Sequence, residues 1–177
     1  MNMPNPHRQH PSLTAFSSLL WDIYINDPLT AYSDQTFSER NIIADLDFFQ
    51  EIKGQLNWSK AECESIGSSP TNAAIAFAAL GGKVQVAGPR NDGQLAEKIG
   101  DYLDRYDITQ IYTRPAAVSG GQCICFQGAD QERQFLVLYP IFDVETVHLP
   151  EIDWHATDWL LTSTYEFTTP QLAAWAP

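Results

Sequence analysis

Asp22 closes an apolar run, Leu19-Leu20-Trp21-Asp22. An ionised carboxylate there accepts two neighbouring ligand hydroxyls at once, strongly and directionally. A strand-end Asp in a turn is the alternative, and the residue types alone weigh the two evenly. Asn72 offers a donor and an acceptor beside a helix start, which suits a hydroxyl-bearing ligand better than a merely exposed Asn. Gly67 lets the backbone approach a ligand closely, as glycines do in any loop. Cys123 and Cys125 put two thiols on one face of a strand. A metal needs further ligands, and His148 and His155 are not at diagnostic spacing, so buried thiols are expected there rather than zinc. The pairs Asp45/Asp47 and Asp130/Glu132 fit solvated faces better than acid–base pairs. Neither a Gly-x-Ser-x-Gly elbow nor a Gly-rich phosphate loop with Lys occurs.

These residues need elements to hold them. Ser18 to Ile25, rich in β-branched and aromatic residues, predicts a strand that places Asp22 near the end of a core strand. Ile42, Leu46, Phe49 and Ile52 recur at helical spacing and predict a short helix ending near Gly54, with two strands as the alternative. Residues 27–40 read as polar turns and 53–66 as polar and exposed. Ser69-Pro70 predicts a helix start, with Ser as cap. Asn72 to Leu80 is apolar nearly all round and predicts a buried helix, stopped by Gly81-Gly82. A strand over Lys83 to Ala87, a helix over Gln94 to Tyr106 and a strand over Asp107 to Tyr112 follow. Gln122 to Gln127 and Gln134 to Tyr139 predict a hairpin, Thr157 to Ser163 a last strand, and Gln171 the start of a last helix. Trp154, Trp159 and Trp175 are expected in the core. The alternation predicts an α/β fold with a largely parallel sheet. Residues 1–12 read as a flexible leader and 13–177 as one domain, with lid strands around 108–140.

Leu19-Leu20-Trp21-Asp22 resembles the first-strand motif of the ribokinase-like (PfkB-type) sugar and nucleoside kinases. Gly67-Ser68-Ser69-Pro70-Thr71-Asn72-Ala73-Ala74 resembles their Gly-Gly-x-Pro-x-Asn-x-Ala, and the helix, Gly81 stop and Val84 to Gly88 strand follow in order. Asn91-Asp92-Gly93 stands where the family has Gly-Asp-Asp, and Glu132-Arg133 resembles the Glu-Arg before its second lid strand. The resemblance implies a three-layer α/β sandwich with a mostly parallel sheet, a small β lid, and the C-terminal part of the fold missing. It implies phosphoryl transfer from ATP with Mg²⁺ to a sugar or nucleoside hydroxyl. Asp22 and Asn72 would then be substrate ligands, Gly67 and Ser68 would supply backbone contacts, and Gly120 with the hairpin would close over the substrate. The chain departs from the pattern at Ser68, at Asn91 and Gly93, and at Ser17-Ser18. The family's Gly-Ala-Gly-Asp and Asn-x-x-Glu motifs do not occur; Gly128-Ala129-Asp130 echoes the first only on a hairpin turn. The expectation is a substrate-binding half without the ATP site, inactive alone; the alternative is a truncated or diverged ligand- or partner-binding remnant.

The 177 residues, 44% hydrophobic and 12% aromatic, suffice for one core. A net charge of −12 repels phosphate backbones and anionic membranes, which argues against nucleic acid and membrane partners. No run reaches the ~18–20 apolar residues of a membrane span. Residues 1–12 do not have the layout of a secretory signal, and three cysteines fit a reducing compartment, so a cytoplasmic protein is expected. A sheet cut in mid-fold leaves an unpaired edge, so the chain is expected to be either oligomeric, as in a homodimer through the lid or the exposed edge, or poorly soluble.

Overall fold

Strand β1 (Ser12–Phe16) runs through the middle of a four-stranded parallel sheet, ordered β6-β5-β1-β9. It lies in the computed structural model of the chain, which describes residues 10–35, 37–91, 93–112, 117–128, 132–141 and 152–163. Leu13 and Ala15 face one side of β1, Thr14 and Phe16 the other, and all four are buried, as a central parallel strand requires. Its partners are β5 (Lys83–Gly88) and β9 (Trp159–Leu161). β6 (Thr109–Tyr112) extends the sheet beyond β5. The helices α2 (Ser69–Ala79) and α3 (Gly93–Asp104) pack on this sheet. No strand is expected before Ser18 from local pattern. β1 forms because Ser12 is tied to β9 from far along the chain: its amide donates to Asp158 Oδ2 at 2.9 Å, and the Asp158 amide donates to Ser12 Oγ at 3.0 Å.

The second sheet has five strands in the order β3-β8-β7-β2-β4. They are β2 (Trp21–Ile25), β3 (Asn41–Ile43), β4 (Ala61–Ile66), β7 (Gln122–Gln127) and β8 (Arg133–Leu138). β7 and β8 pair antiparallel, as the hairpin reading requires, while β2 pairs parallel with β7 and antiparallel with β4. The period of two divides its faces. Trp21, Ile23, Ile25, Ile124, Phe126 and Leu136 are buried in the main core, which also takes Phe49 and Ile52 of α1 (Leu46–Gln55). Asp22, Tyr24, Cys123, Phe135 and Val137 share the other face, by the strand register.

Four segments differ from their expected form. The Ile42 to Ile52 pattern splits into β3 and α1, because Asp45 caps the helix by accepting from the Phe48 amide at 2.8 Å. Of residues 61–66, expected to be exposed, only Glu62, Cys63 and Glu64 are; Ile66 is buried in the core, because the segment forms the edge strand β4, with Glu62 and Glu64 charging the edge. α2 is not buried all round: Thr71 and Ala74 are inside, whereas Ala73, Ala76, Ala79 and Leu80 are exposed. Trp159 is 60% exposed on the edge strand β9 rather than in the core, because no neighbouring strand among the described residues pairs with β9 on that side. The expected helix from Gln171, Trp175 and the hairpin turn 129–131 lie outside the described residues, as do residues 1–9.

Candidate functional site

The chain crosses between the two sheets at residues 17–20 and 67–68, and again on entering β7 and on leaving β8. A cavity of about 490 Å³ opens beside these crossings. Ser18, Asp22, Ser68, Ser69 and Asn72 form its polar end; Leu20, Cys123, Phe135 and Val137 contribute apolar surface. Glu39, Asn41 and Ile43 also line it.

Asp22 is the second residue of β2, not the last residue of a core strand. Its carboxyl is seated by Gly67: a Cβ on that glycine would lie 2.0 Å from Asp22 Oδ1. No side chain fits there, and the Gly67 amide is itself fixed by donating to the Leu20 carbonyl at 2.8 Å. Burial pushes the Asp22 carboxyl up to about 6, against a weak lowering by the Tyr24 hydroxyl, which donates to Oδ2 at 3.5 Å. Burial likewise raises the Tyr24 hydroxyl, with Asp22 adding to the effect.

Ser68 stands at the cap position of α2 with φ +73, the left-handed region that favours glycine. It gives no cap bond to the helix. Instead its Oγ accepts from Ser17 Oγ at 2.8 Å, and Ser17 also bonds the buried Thr71 Oγ1. The two departures Ser17 and Ser68 from the kinase-like pattern are therefore in contact. The helix begins at Ser69, with Pro70 in its first turn, and Asn72 stands exposed one turn in.

Asp22, Ser68 and Asn72 thus meet at one cavity, with Gly67 directly behind the carboxyl. Gly120 does not join them. It is buried where a Cβ would meet Leu95 Cδ2 at 2.5 Å and Asn91 Oδ1 at 2.9 Å, so close packing requires a glycine there. Local pattern carried no signal for Glu39, Asn41 and Ile43, because they reach the cavity only through β3 pairing with β8. Cys123 and Cys125 are buried with sulfurs 3.8 Å apart; the bond to Cys125, then burial, pushes the Cys123 thiol up, so it stays protonated.

Among the described residues no group of three or more His, Cys, Asp and Glu side chains is placed to hold a metal ion. The cavity presents two carboxylates, Asp22 and Glu39, and no Lys, Arg or His among its described lining. That lining suits hydroxyl donors and, having no cationic side chain, does not suit a polyphosphate.

No protein-family profile matches the chain, and no curated protein matches its sequence. Solved structures do. An adenosine kinase from Sinorhizobium meliloti superposes with a TM-score of 0.68 at 17% identity, over 93% of this chain and 50% of that one. A probable sugar kinase from Rhizobium etli CFN 42 gives 0.62 at 20% identity, over 77% and 43%. An adenosine kinase from Anopheles gambiae, in complex with P1,P4-di(adenosine-5) tetraphosphate, gives 0.61 at 15%, over 72% and 40%. The chain spans about half the length of these kinases or less. It has the ribokinase-like fold, over the part that carries the parallel sheet and the second, mixed sheet.

Proposed function

We propose that this chain is the substrate-binding half of a PfkB-type kinase and holds a sugar or nucleoside through neighbouring hydroxyls. Asp22 accepts two of them, Asn72 donates and accepts beside the helix start, and the backbone of Gly67 and Ser68 closes around the ring. The observation that carries this reading is the convergence of Asp22, Ser68 and Asn72 on one cavity in a ribokinase-like fold. Phosphoryl transfer would use ATP and Mg²⁺ bound by residues other than these, so the chain alone is expected to be inactive. Three free cysteines fit a reducing compartment and favour a cytoplasmic protein. No helix among the described residues is long and apolar enough to cross a membrane.

Calorimetry with a panel of sugars and nucleosides tests the reading. Binding to the parent chain and its loss in Asp22→Ala are expected. Binding that survives Asp22→Ala overturns the site. Sugar-dependent ATP turnover by the chain alone would overturn the division of labour.

A second reading, a diverged partner-binding remnant, draws on the edge strand β9, where Trp159 and Leu160 are 60% and 44% exposed. Pairing of two copies along that edge would appear as a dimer in light scattering, lost in Trp159→Lys.

A further inference from the structure

One buried side chain that lines no part of the cavity bonds the segments that enter β2 and β7, strands paired with each other along five residues. Asn91, 3% exposed, follows β5 on the core sheet. Its Nδ2 donates to the Leu19 carbonyl at 2.9 Å, and its Oδ1 accepts from the Gly121 amide at 2.9 Å. The ring closes because the Trp21 amide donates to the Gly121 carbonyl at 3.0 Å. Leu19 has φ +50, a conformation that a bulky residue keeps only when its surroundings over-determine it. Both ends of Leu19 are held by side chains: the carbonyl by Asn91, and the amide by Ser17 Oγ at 3.1 Å. Gly120 is glycine for the same reason, since a Cβ there would strike the Asn91 oxygen that receives the Gly121 amide.

Asp22 lies three residues beyond Leu19, Cys123 two beyond Gly121, and the two are register partners. We propose that Asn91 is a positioning residue of the cavity: by holding the Leu19 carbonyl and the Gly121 amide together, it sets where β2 and β7 present Asp22 and Cys123. Its consequence for binding rests on the substrate reading above; its effect on Asp22 does not.

The test is a carboxyl-carbon NMR titration of Asp22 in the full chain. The groups that face this carboxyl are Tyr24 on its own strand and Cys123 on β7, with Glu39 also lining the cavity. Gly67 presses on it without charge. Asn91→Ala removes both bonds. Asn91→Asp keeps the acceptor for Gly121 and loses the donor to Leu19. Thr14→Val removes a buried hydroxyl from the core sheet, away from the crossings, and controls for lost stability. The parent and Thr14→Val should titrate near 6. Asn91→Ala should move the midpoint down towards the ordinary carboxylate range, and Asn91→Asp should move it less. Should Asn91→Ala fail to fold, Asn91→Asp against Thr14→Val decides. Midpoints in the Asn91 variants equal to that of Thr14→Val overturn the proposal. With ribose and adenosine as probes, Asn91→Ala should bind at least about tenfold more weakly than Thr14→Val. If no protein, parent included, binds either probe, the substrate reading falls and the titration still decides the role of Asn91.

Discussion

Both sheets bury polar side chains, and they treat them differently. On the core sheet, Thr14 is wholly buried and fully answered: Gln85 Nε2 donates to its Oγ1 at 2.6 Å, and the Thr157 hydroxyl lies 2.7 Å away. On the second sheet, Asp22 has a cavity in front of it, Gly67 behind it, and a long bond from Tyr24 at 3.5 Å. A buried polar group without a good partner costs free energy, so folds keep one where a ligand completes it. The core sheet uses its polar cluster to fix register between strands distant in sequence. The second sheet leaves its carboxyl facing the cavity with that one long bond.

Changes on the two sheets sharpen or break this contrast. The largest effect is expected for Phe126→Ala, which empties a fully buried site on the packed face of the second sheet and should cost about 3–5 kcal/mol in a denaturant melt. A small loss would mean that this sheet is not anchored by its packed face. Gly67→Ala should cost about 1–3 kcal/mol, because the new methyl displaces the Asp22 carboxyl, and ligand binding should vanish with it. Retained binding would show that the carboxyl does not need its seat.

Asp22→Asn should act in the opposite direction on stability. The folded carboxyl, raised from 3.8 to about 6 by burial, holds its proton more tightly than the unfolded chain does. Stability therefore falls as pH rises from about 4 through 6, and the penalty is complete above that window. The variant should gain on the order of 2 kcal/mol at pH 7, lose that slope, and lose binding. Melts across pH 4 to 7, as order-of-magnitude limits of the window, check the sign. Thr14→Val should cost about 1–2 kcal/mol with binding intact, since Gln85 loses its acceptor far from the cavity. The smallest effect belongs to Ser68→Gly, which relieves the left-handed backbone and gives up the Ser17 bond. A gain of up to ~1 kcal/mol is expected by calorimetry. A loss would mean that the Ser17–Ser68 bond outweighs the strain.

Much of the α/β alternation was legible because its signals are local. β5, α3 and the β7–β8 hairpin announce themselves through period, turn residues and glycine stops, and they form close to their expected bounds. The region 41–66 misled because Ile42 continues a helical spacing that belongs to the helix only from Leu46, after the Asp45 cap. The site was legible in part. Asp22, Gly67, Ser68 and Asn72 carry residue types that suit the place they occupy, whereas Glu39 and Asn41 reach the cavity through pairings that no local pattern encodes, and Asn91 is bonded outside it to Leu19 and Gly121.

By itself the sequence determined that β5, α3 and the β7–β8 hairpin form where they do, and which side chains carry hydroxyl-accepting groups, since both follow from near neighbours and side-chain type. Only the tertiary structure decided that β1 is a strand, that Asp22 is pressed against Gly67, and that Ser17 answers Ser68. Strand pairing and burial depend on residues as many as 146 positions away, as Ser12 and Asp158 show, and burial is what turns an ordinary carboxyl into one titrating near 6.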